Sequence, residues 1–522
     1  MSWFNPTPLL LPQIIADHGR HRPEHPALKQ GDRTLSWRQF ADHTARVANA
    51  IRNLGVQPGQ RVGVLMDASM ATVEAMFGIV RSGAVAVPLN VSISDDAVAA
   101  MLNDSEAVAV IATPAQRQRI DRVGDQLQVR RDARVVAGES PQGWINFEAW
   151  RNAASSVAPA PVTDPDAECN LIYSSGTTGL PKGIVHSHRC RAAWAYNMAV
   201  GLRYHSGART LLSLGLYSNI TWVAMLSTML AGGTLVIMPK FDCDEFLRLT
   251  EAEKITHSVV VPVQLQRLLD HPGFAADRVV SFQSLMCCGS PLPGAIKTQI
   301  VEAFGAAFME LYGLTEGLVT ILAPEQMESH IDSVGLPCPG QRIKILGGDD
   351  QECPTGESGE IIGLGPLQMA GYHNRADANE ETTWVDRQGQ RWLRTGDIGR
   401  LDDAGFLYLV DRKKDMILSG GQNIYPADIE AVIARHPLVA ECAVIGVPSD
   451  TWGETPLALL VLREDADDEF NHTEVRTWIN EQVGKQQRVA GVVRVGDLPR
   501  NPNGKILKRE LRKSYADWRA DA

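Results

Sequence analysis

The fold is constrained most by a regular alternation of helix-like and strand-like segments along the first 330 residues. Residues 37–51 carry apolar side chains at helical spacing, and a strand-like apolar run follows at 61–66. A helical segment at 95–102 then precedes the apolar run 107–112. Further strand-like runs lie at 171–173, 234–238, 258–261 and 284–287. This rhythm is typical of parallel sheets covered by helices, and it predicts the α/β class.

The rhythm changes after residue 330, and this change sets the predicted domain organisation. Short strand-like runs separated by Gly and Pro, such as 342–346 and 359–363, predict a small β-rich subdomain. A compact α+β region follows the charged segment 411–415. We therefore predict a large N-terminal domain of two wound α/β sheets plus the β-rich subdomain, and a small α+β C-terminal domain. The predicted limits are 1–411 (subdomains about 1–165, 166–330 and 331–411) and 412–522.

Charge and cysteine content exclude some classes of function. The 522 residues carry a formal net charge of −11, so general nucleic-acid binding is disfavoured. The eight cysteines form no C-x-x-C pair and are expected to be reduced thiols. No run approaches the roughly 18 to 20 apolar residues that cross a bilayer, and no secretory signal pattern is found. We expect a cytoplasmic protein without a transmembrane segment.

A glycine- and hydroxyl-rich segment follows one of the predicted strands. It reads Tyr173-Ser-Ser-Gly-Thr-Thr-Gly-Leu-Pro-Lys-Gly183. Glycines let backbone N–H groups approach phosphate oxygens, hydroxyls add donors, and Lys182 adds a positive charge. The segment does not fit a Walker A loop, because Lys182 precedes a glycine instead of Ser or Thr. The pattern predicts a phosphate-binding loop.

Four further segments follow in order. They are Tyr312-Gly-Leu-Thr-Glu316, Arg394-Thr-Gly-Asp-Ile-Gly399, the segment 405–426 and Pro499-Arg-Asn-Pro-Asn-Gly-Lys-Ile-Leu-Lys-Arg-Glu-Leu511. An aromatic face suits base stacking, a hydroxyl suits an oxyanion, and a carboxylate suits a hard cation or a ribose. The ordered set resembles the adenylate-forming superfamily, specifically acyl- or aryl-CoA ligases such as the 4-coumarate, feruloyl and benzoate group.

The resemblance implies roles for individual residues. The catalytic set is Lys505, Thr315, Glu316 and Lys182, with Glu316 as the magnesium ligand. ATP or AMP is expected at Ser174, Ser175, Gly176, Thr177, Thr178, Gly179, Lys182, Gly289, Ser290, Tyr312, Gly313, Thr315, Asp397 and Arg412. The acyl pocket is assigned to Tyr217, Ser218, Trp222, Cys288, Gly313 and Leu318. The hinge and the coenzyme A path are assigned to Lys414, Gly420 and Gly421.

The resemblance also implies a two-step ligase that uses ATP, Mg²⁺ and coenzyme A. A carboxylic acid is first joined to AMP with release of pyrophosphate, and the acyl group then passes to the coenzyme A thiol. Because Lys505 would stand where the thiol must enter, the small C-terminal domain is expected to be mobile and to rotate about Lys414 between the steps.

The acid is predicted to be apolar and uncharged. Residues 211–222 contain no acidic side chain with which to bind an α-ammonium group, and many relatives have Phe-His where this chain has Tyr217-Ser218. The aromatic residues favour an aromatic or arylpropenoic acid. A medium- or long-chain fatty acid, a separate acyl carrier protein as acceptor, and an inactive nucleotide-binding scaffold are the alternatives. A homodimer is left open.

Overall fold

The computed structural model describes residues 9–160, 162, 164–174, 182–290, 292, 294–419, 422–449, 451–463, 466, 470–485, 487–500 and 505–519. The chain divides into two units, which are treated separately. The N-terminal unit comprises residues 1–331, 337–342 and 364–383, and the C-terminal unit comprises 332–336, 343–363 and 384–522. In the described residues, no helix has both the length and the apolar character needed to cross a membrane.

The helices and strands of the N-terminal unit alternate as the sequence predicts, which confirms the α/β class. Its helices are α1 (Leu11–His21), α2 (Trp37–Asn53), α3 (Met70–Ser82), α4 (Asp95–Asp104), α5 (Pro114–Arg122), α6 (Phe147–Ala153), α7 (His188–Gly201), α8 (Asn219–Ala231), α9 (Cys243–Glu253), α10 (Pro262–Leu269), α11 (Gly294–Phe304), α12 (Pro324–His330) and α13 (Ala376–Glu381). Its strands are β1 (Pro26–Gln30), β2 (Arg33–Ser36), β3 (Arg61–Leu65), β4 (Val85–Pro88), β5 (Ala107–Ala112), β6 (Arg134–Val136), β7 (Ile145–Asn146), β8 (Glu168–Ser174), β9 (Lys182–Ser187), β10 (Arg209–Leu212), β11 (Thr234–Ile237), β12 (His257–Val260), β13 (Ser284–Cys287), β14 (Phe308–Gly313), β15 (Val319–Leu322) and β19 (Gly371–Tyr372). β16 (Leu336–Pro337) lies where the chain passes between the units.

Two sheets form the N-terminal unit. One has the strand order β15-β14-β13-β12-β10-β11-β1-β2, and the other has the order β19-β9-β8-β4-β3-β5-β6-β7. Each sheet contains strands from both sides of the subdomain limit predicted near residue 165. β1 pairs in parallel with β11 in one sheet, and β4 pairs with β8 in the other. The predicted domain limits stay predictions.

Local sequence explains where the helices begin and how they pack. Ser36 and Gln39 form a reciprocal capping box at the start of α2, with hydrogen bonds of 2.9 and 3.3 Å. An aromatic series then runs through the core, with ring centroids 6.2 Å apart for Phe40 and Phe77 and 5.9 Å apart for Phe77 and Trp222. Full burial of such a side chain contributes about 1.5 to 3 kcal/mol, so this series ties α2, α3 and α8 together.

The C-terminal unit contains two antiparallel-rich sheets. The first has the order β17-β18-β21-β20, with β22 beside β21, and the second has the order β24-β23-β26-β25, with β27 beside β26. The elements are β17 (Arg342–Leu346), β18 (Gly359–Leu364), β20 (Thr383–Val385), β21 (Arg391–Leu401), β22 (Leu407–Arg412), β23 (Ile417–Ser419), β24 (Gln422–Ile424), α14 (Pro426–Ile433), β25 (Val439–Ser449), β26 (Gly453–Leu462), α15 (His472–Gln482), β27 (Gly491–Arg494) and α16 (Lys508–Ser514). Alternate residues of β25 lie in two different apolar clusters, so the second sheet is covered on both faces.

Candidate active site

The predicted phosphate loop connects the two strands of an antiparallel pair. β8 ends at Ser174 and β9 begins at Lys182, and these two residues are register partners. Lys182 therefore stands at the open end of the pair. The predicted phosphate ligands Ser175, Gly176, Thr177, Thr178 and Gly179 lie outside the described residues, as do Gly420 and Gly421, and nothing is said of the Ser174 side chain.

The second predicted motif forms a tight turn between β14 and β15. The Leu314 N–H donates to the Leu318 carbonyl at 3.0 Å, and the Gly317 N–H donates to the Leu314 carbonyl at 3.1 Å. Gly317 has a φ of +119°, and a β-carbon there would collide with the Leu367 carbonyl. Only glycine fits this approach. The turn thus places Thr315 and Glu316, both half-buried, at fixed positions after the strand that carries Tyr312.

Tyr372 joins the two predicted phosphate-binding elements, and the sequence motifs did not include it. Its hydroxyl donates to Glu316 Oε1 at 2.8 Å. Its ring lies under the Lys182 ammonium, with Nζ 4.9 Å from the ring centroid. Burial, followed by the nearby Glu316 charge, raises the pKa of Tyr372, so the hydroxyl stays protonated and donates to the carboxylate.

Arg191 is a second residue that the motifs missed. It is fully buried on α7, and its Nε and Nη1 donate to the side-chain oxygens of Asn170 and Asn219, each at 2.8 Å. Its guanidinium also lies 5.1 Å from the Trp222 ring centroid. Asn170 belongs to β8, and Asn219 begins α8. Arg191 therefore links the strand before the phosphate loop to the helix that carries the predicted acyl-pocket residue Trp222.

The same guanidinium reaches the Thr315 turn through His186. His186 Nε2 lies 2.8 Å from the Thr315 carbonyl, and Nδ1 lies 3.1 Å from Arg191 Nη2. A carbonyl only accepts, so Nε2 carries the proton and Nδ1 accepts from Arg191. Burial, and next the Arg191 charge, hold the pKa of His186 well below its usual range, which keeps the ring neutral as this arrangement requires.

The segments predicted to line the acyl pocket approach one another. A β-carbon on Gly289 would lie 3.3 Å from Ile220 Cδ1, which places the turn after β13 beside the first turn of α8. Ser218 caps α8 by accepting from the Ile220 N–H at 3.3 Å. Trp222 and Leu318 have no exposed surface, and Cys288 is 7% exposed. The acyl roles of these residues and of Tyr217 stay predictions.

In the C-terminal unit, the structure brings together the predicted ribose-binding residues. Asp397 on β21 and Arg412 on β22 are register partners, and Asp397 Oδ1 lies 3.4 Å from Arg412 Nε. The next turn is held by α16, because Arg512 donates to the carbonyls of Lys414 and Asp415, each at 2.6 Å. The predicted hinge residue therefore lies in a turn with defined hydrogen bonds.

Lys505 belongs to the same charged group. An antiparallel bridge joins Arg500 to Ile506, the residue after Lys505, and residues 501–504 lie outside the described residues. Burial lowers the pKa of Lys505 to about 7, with the positive charge of Arg412 as the next cause. Burial and Arg412 likewise lower the pKa of Lys414 to about 8. The carboxylates of Asp397 and Asp415 act in the opposite sense on both lysines, so cations and anions stand together in this group.

Glu316 fits a cation that completes its coordination with other molecules. Among the described residues, no group of three or more His, Cys, Asp or Glu side chains is placed to hold a metal ion. Mg²⁺ usually keeps several waters and takes one or two carboxylates plus substrate phosphates. Glu316 is a half-buried carboxylate bonded to the tyrosine that also contacts Lys182, which agrees with that donor set.

Comparisons with known proteins show the family of the chain. The profile of the AMP-binding enzyme family matches residues 15–373, and that of the AMP-binding enzyme C-terminal domain matches residues 428–505. A feruloyl-CoA synthase from Amycolatopsis sp is 33% identical over 95% of this chain and 97% of that protein. A fatty acid–[acyl-carrier-protein] ligase, ScoC of Streptomyces coeruleorubidus, is 33% identical over 97% of this chain and 96% of its own. The crystal structure of ATP-bound MatB from Rhodopseudomonas palustris superposes with a TM-score of 0.88 at 27% identity, covering 98% of this chain and 99% of that one. The chain therefore belongs to the AMP-binding enzyme family and is an AMP-forming acyl-CoA synthetase.

Proposed function

We propose that the chain activates an uncharged aromatic or arylpropenoic acid and transfers the acyl group to free coenzyme A. The observation that carries the choice of acid is the composition of residues 211–222, which are apolar, aromatic or neutral polar and include no acidic side chain. An apolar acyl group without a charged substituent can pack against these side chains, and no buried charge is then left unpaired. The similarity to a feruloyl-CoA synthase supports the aromatic class.

In the first step, a carboxylate oxygen of the acid attacks the α-phosphorus of ATP. A new P–O bond forms, the bond to the bridging oxygen breaks, and pyrophosphate leaves. Both reactants are anions, so the residues of the chain must offset negative charge as it builds. Lys182 holds the leaving phosphates, Thr315 donates to the α-phosphate, and Lys505 supplies the cation for the carboxylate and α-phosphate oxygens. Asp397 accepts from the ribose hydroxyls, with Arg412 beside it.

Glu316 would hold the magnesium ion. When bound there, the ion would supply positive charge to the phosphate oxygens. The residues of the chain do the rest: they bind the nucleotide, orient the acid and exclude water.

In the second step, the sulfur of the coenzyme A thiol attacks the acyl carbon and the thiol proton is released to the solvent. A C–S bond forms, and AMP leaves with the electron pair of the broken C–O bond. The thiol needs a path to the carbon that Lys505 covers during the first step. A change of hinge conformation at Lys414 opens this path. Lys414→Pro is therefore expected to slow thioester formation more than adenylation, because proline restricts backbone rotation there.

A second candidate function is loading of a separate carrier protein with a fatty acid. The observation that favours it is the 33% identity to a fatty acid–[acyl-carrier-protein] ligase over nearly the whole chain. The two candidates differ in the acid and in the acceptor, and each difference can be measured alone.

The experiment has two stages. Acid-dependent exchange of pyrophosphate into ATP is measured for ferulic, cinnamic, benzoic, cyclohexanecarboxylic, medium-chain and long-chain fatty acids. AMP release with the best acid is then compared between free coenzyme A and a holo carrier protein. We expect an arylpropenoic or aromatic acid to give the highest kcat/KM and coenzyme A to be the acceptor. A preference for long-chain acids, or release that depends on the carrier protein, would reject the proposal in favour of the second candidate.

A further inference from the structure

We propose that Tyr372 is a positioning residue that fixes both Glu316 and Lys182 for the ATP phosphates. The inference rests on the proposed function, which places those two residues at the triphosphate. Tyr372 itself need touch neither the nucleotide nor the acid. It is 9% exposed, and its two polar contacts are made by different parts of the side chain.

The hydroxyl of Tyr372 contacts Glu316, and its ring contacts Lys182. A hydrogen bond from the hydroxyl to one Glu316 oxygen, at 2.8 Å, restricts the rotation of the carboxylate. A cation over an aromatic face is attracted without meeting a countercharge. The Lys182 ammonium, 4.9 Å from the ring centroid, is thus held in place while its full charge remains available to a phosphate.

The backbone around Tyr372 is itself fixed, which a positioning residue requires. Tyr372 pairs with Ile184 on β9, two residues after Lys182. The Asn379 side chain holds the same peptide from the other side, because its Oδ1 accepts from the Tyr372 N–H at 2.7 Å and its Nδ2 donates to the Tyr372 carbonyl at 3.2 Å. The ring packs in a small apolar cluster with Ile184 and Ala378.

The segment that carries Tyr372 is also bonded to the Glu316 turn. The Met369 N–H donates to the Glu316 carbonyl at 2.8 Å, and the His373 N–H donates to the Gly183 carbonyl at 2.8 Å. Residues 369–373 therefore connect the turn after β14 to the strand that begins at Lys182. The backbone sets the spacing of the two elements, and the Tyr372 side chain sets the direction of the two charged groups.

The test measures ATP binding directly, by titration calorimetry, in the presence of Mg²⁺ and in EDTA. The dissociation constant of ATP in EDTA, divided by that in Mg²⁺, defines the magnesium enhancement. Tyr372→Phe removes only the hydroxyl, so we expect this ratio to fall about tenfold while binding in EDTA changes less than about twofold. Tyr372→Leu also removes the ring, and we expect binding in EDTA to weaken about threefold further.

Two controls separate positioning from a general structural role. Tyr408→Phe removes a comparable hydrogen bond, from Tyr408 to Asp402 at 3.2 Å, and should leave the ratio unchanged. In a Glu316→Gln background, Tyr372→Phe should change the ratio by less than about twofold, because the group it positions is already altered. Thermal unfolding of each variant verifies the fold, and if one Tyr372 variant does not fold, the other decides.

The inference is overturned if Tyr372→Phe keeps the wild-type ratio. It is equally overturned if the loss is as large in the Glu316→Gln background as in the wild type. If the wild-type protein binds ATP and the variants give either of these results, only the role of Tyr372 is rejected. If the wild-type protein binds no ATP, the proposed function is rejected, and this inference with it.

Discussion

Lys505 should make adenylation depend on pH in the neutral range. Burial, with Arg412 as the next cause, lowers its pKa to about 7. The proposed role needs the ammonium form, and the fraction in that form falls as the pH rises through the pKa. For a group with a pKa of 7, the protonated fraction drops about tenfold between pH 6 and pH 8. We therefore expect kcat/KM for ATP in the exchange reaction to fall about tenfold over that interval.

The profile of kcat should differ from that of kcat/KM. The value of kcat/KM reports on the free enzyme, whereas kcat reports on the complex that already holds ATP. The phosphates bring negative charge to Lys505, and a nearby opposite charge favours the ammonium form. The fall in kcat is thus expected at a higher pH than the fall in kcat/KM.

Two variants test the assignment of this pH dependence to Lys505. Lys505→Arg keeps a positive charge that does not titrate in this range, so its profile should be flat above neutrality even if its rate is low. The same variant controls for ionisation of ATP itself. Lys414→Gln removes one of the cations that lower the pKa of Lys505, so its profile should move to higher pH. A fall near pH 7 that persists in Lys505→Arg would refute the reasoning.

Three further predictions concern the residues that support the site. Arg191→Met should lower the free energy of unfolding by about 1 to 3 kcal/mol for each hydrogen-bond partner left unsatisfied. Arg191→Lys should recover only part of that free energy, because lysine lacks the planar fork of donors. Urea unfolding measures both variants. Lys297→Met breaks a buried ion pair with Glu310 (2.5 Å), so we expect the free energy of unfolding to fall by about 3 to 5 kcal/mol in the same assay. A Lys297→Met, Glu310→Leu double variant that is no more stable than Lys297→Met alone would contradict this expectation. Gly317→Ala should raise KM for ATP and lower the thermal midpoint, since its β-carbon meets the Leu367 carbonyl; an unchanged KM in a folded protein would count against the fixed turn.

The sequence predicted individual elements well because their signals are local. The apolar run 107–112 is β5 (Ala107–Ala112), and the helical segment 37–51 lies within α2 (Trp37–Asn53). Strands buried on both faces read as continuous apolar runs, and helices show a period near 3.6 residues. The strand order could not be read in this way. β1 lies next to β11, with Leu28 opposite Leu235, and no local pattern encodes a partner so distant along the chain.

The same distinction between local and distant signals applies to the residues of the candidate site. Lys182, Glu316 and Asp397 stand in motifs of several residues, so the resemblance predicted a role for each of them. Tyr372 and Arg191 were missed because each acts through contacts with distant segments. The bond from Tyr372 to Glu316 spans 56 residues, and that from Arg191 to Asn219 spans 28. Alone in the sequence, a tyrosine on a short strand and an arginine on an apolar helix face carry no signal of such a role.

In the proposed reaction, the cations of the C-terminal unit allow a chain of net charge −11 to receive anionic substrates. Burial is the first cause of the lowered pKa values of Lys505 and Lys414, and the charge of Arg412 is the second, so the charged form of each lysine is disfavoured in the free protein. An incoming phosphate or carboxylate supplies an opposite charge and favours protonation of Lys505. Charged groups that are arranged before binding need not reorganise when negative charge develops. The local group, and not the overall charge, decides which ligand this surface accepts.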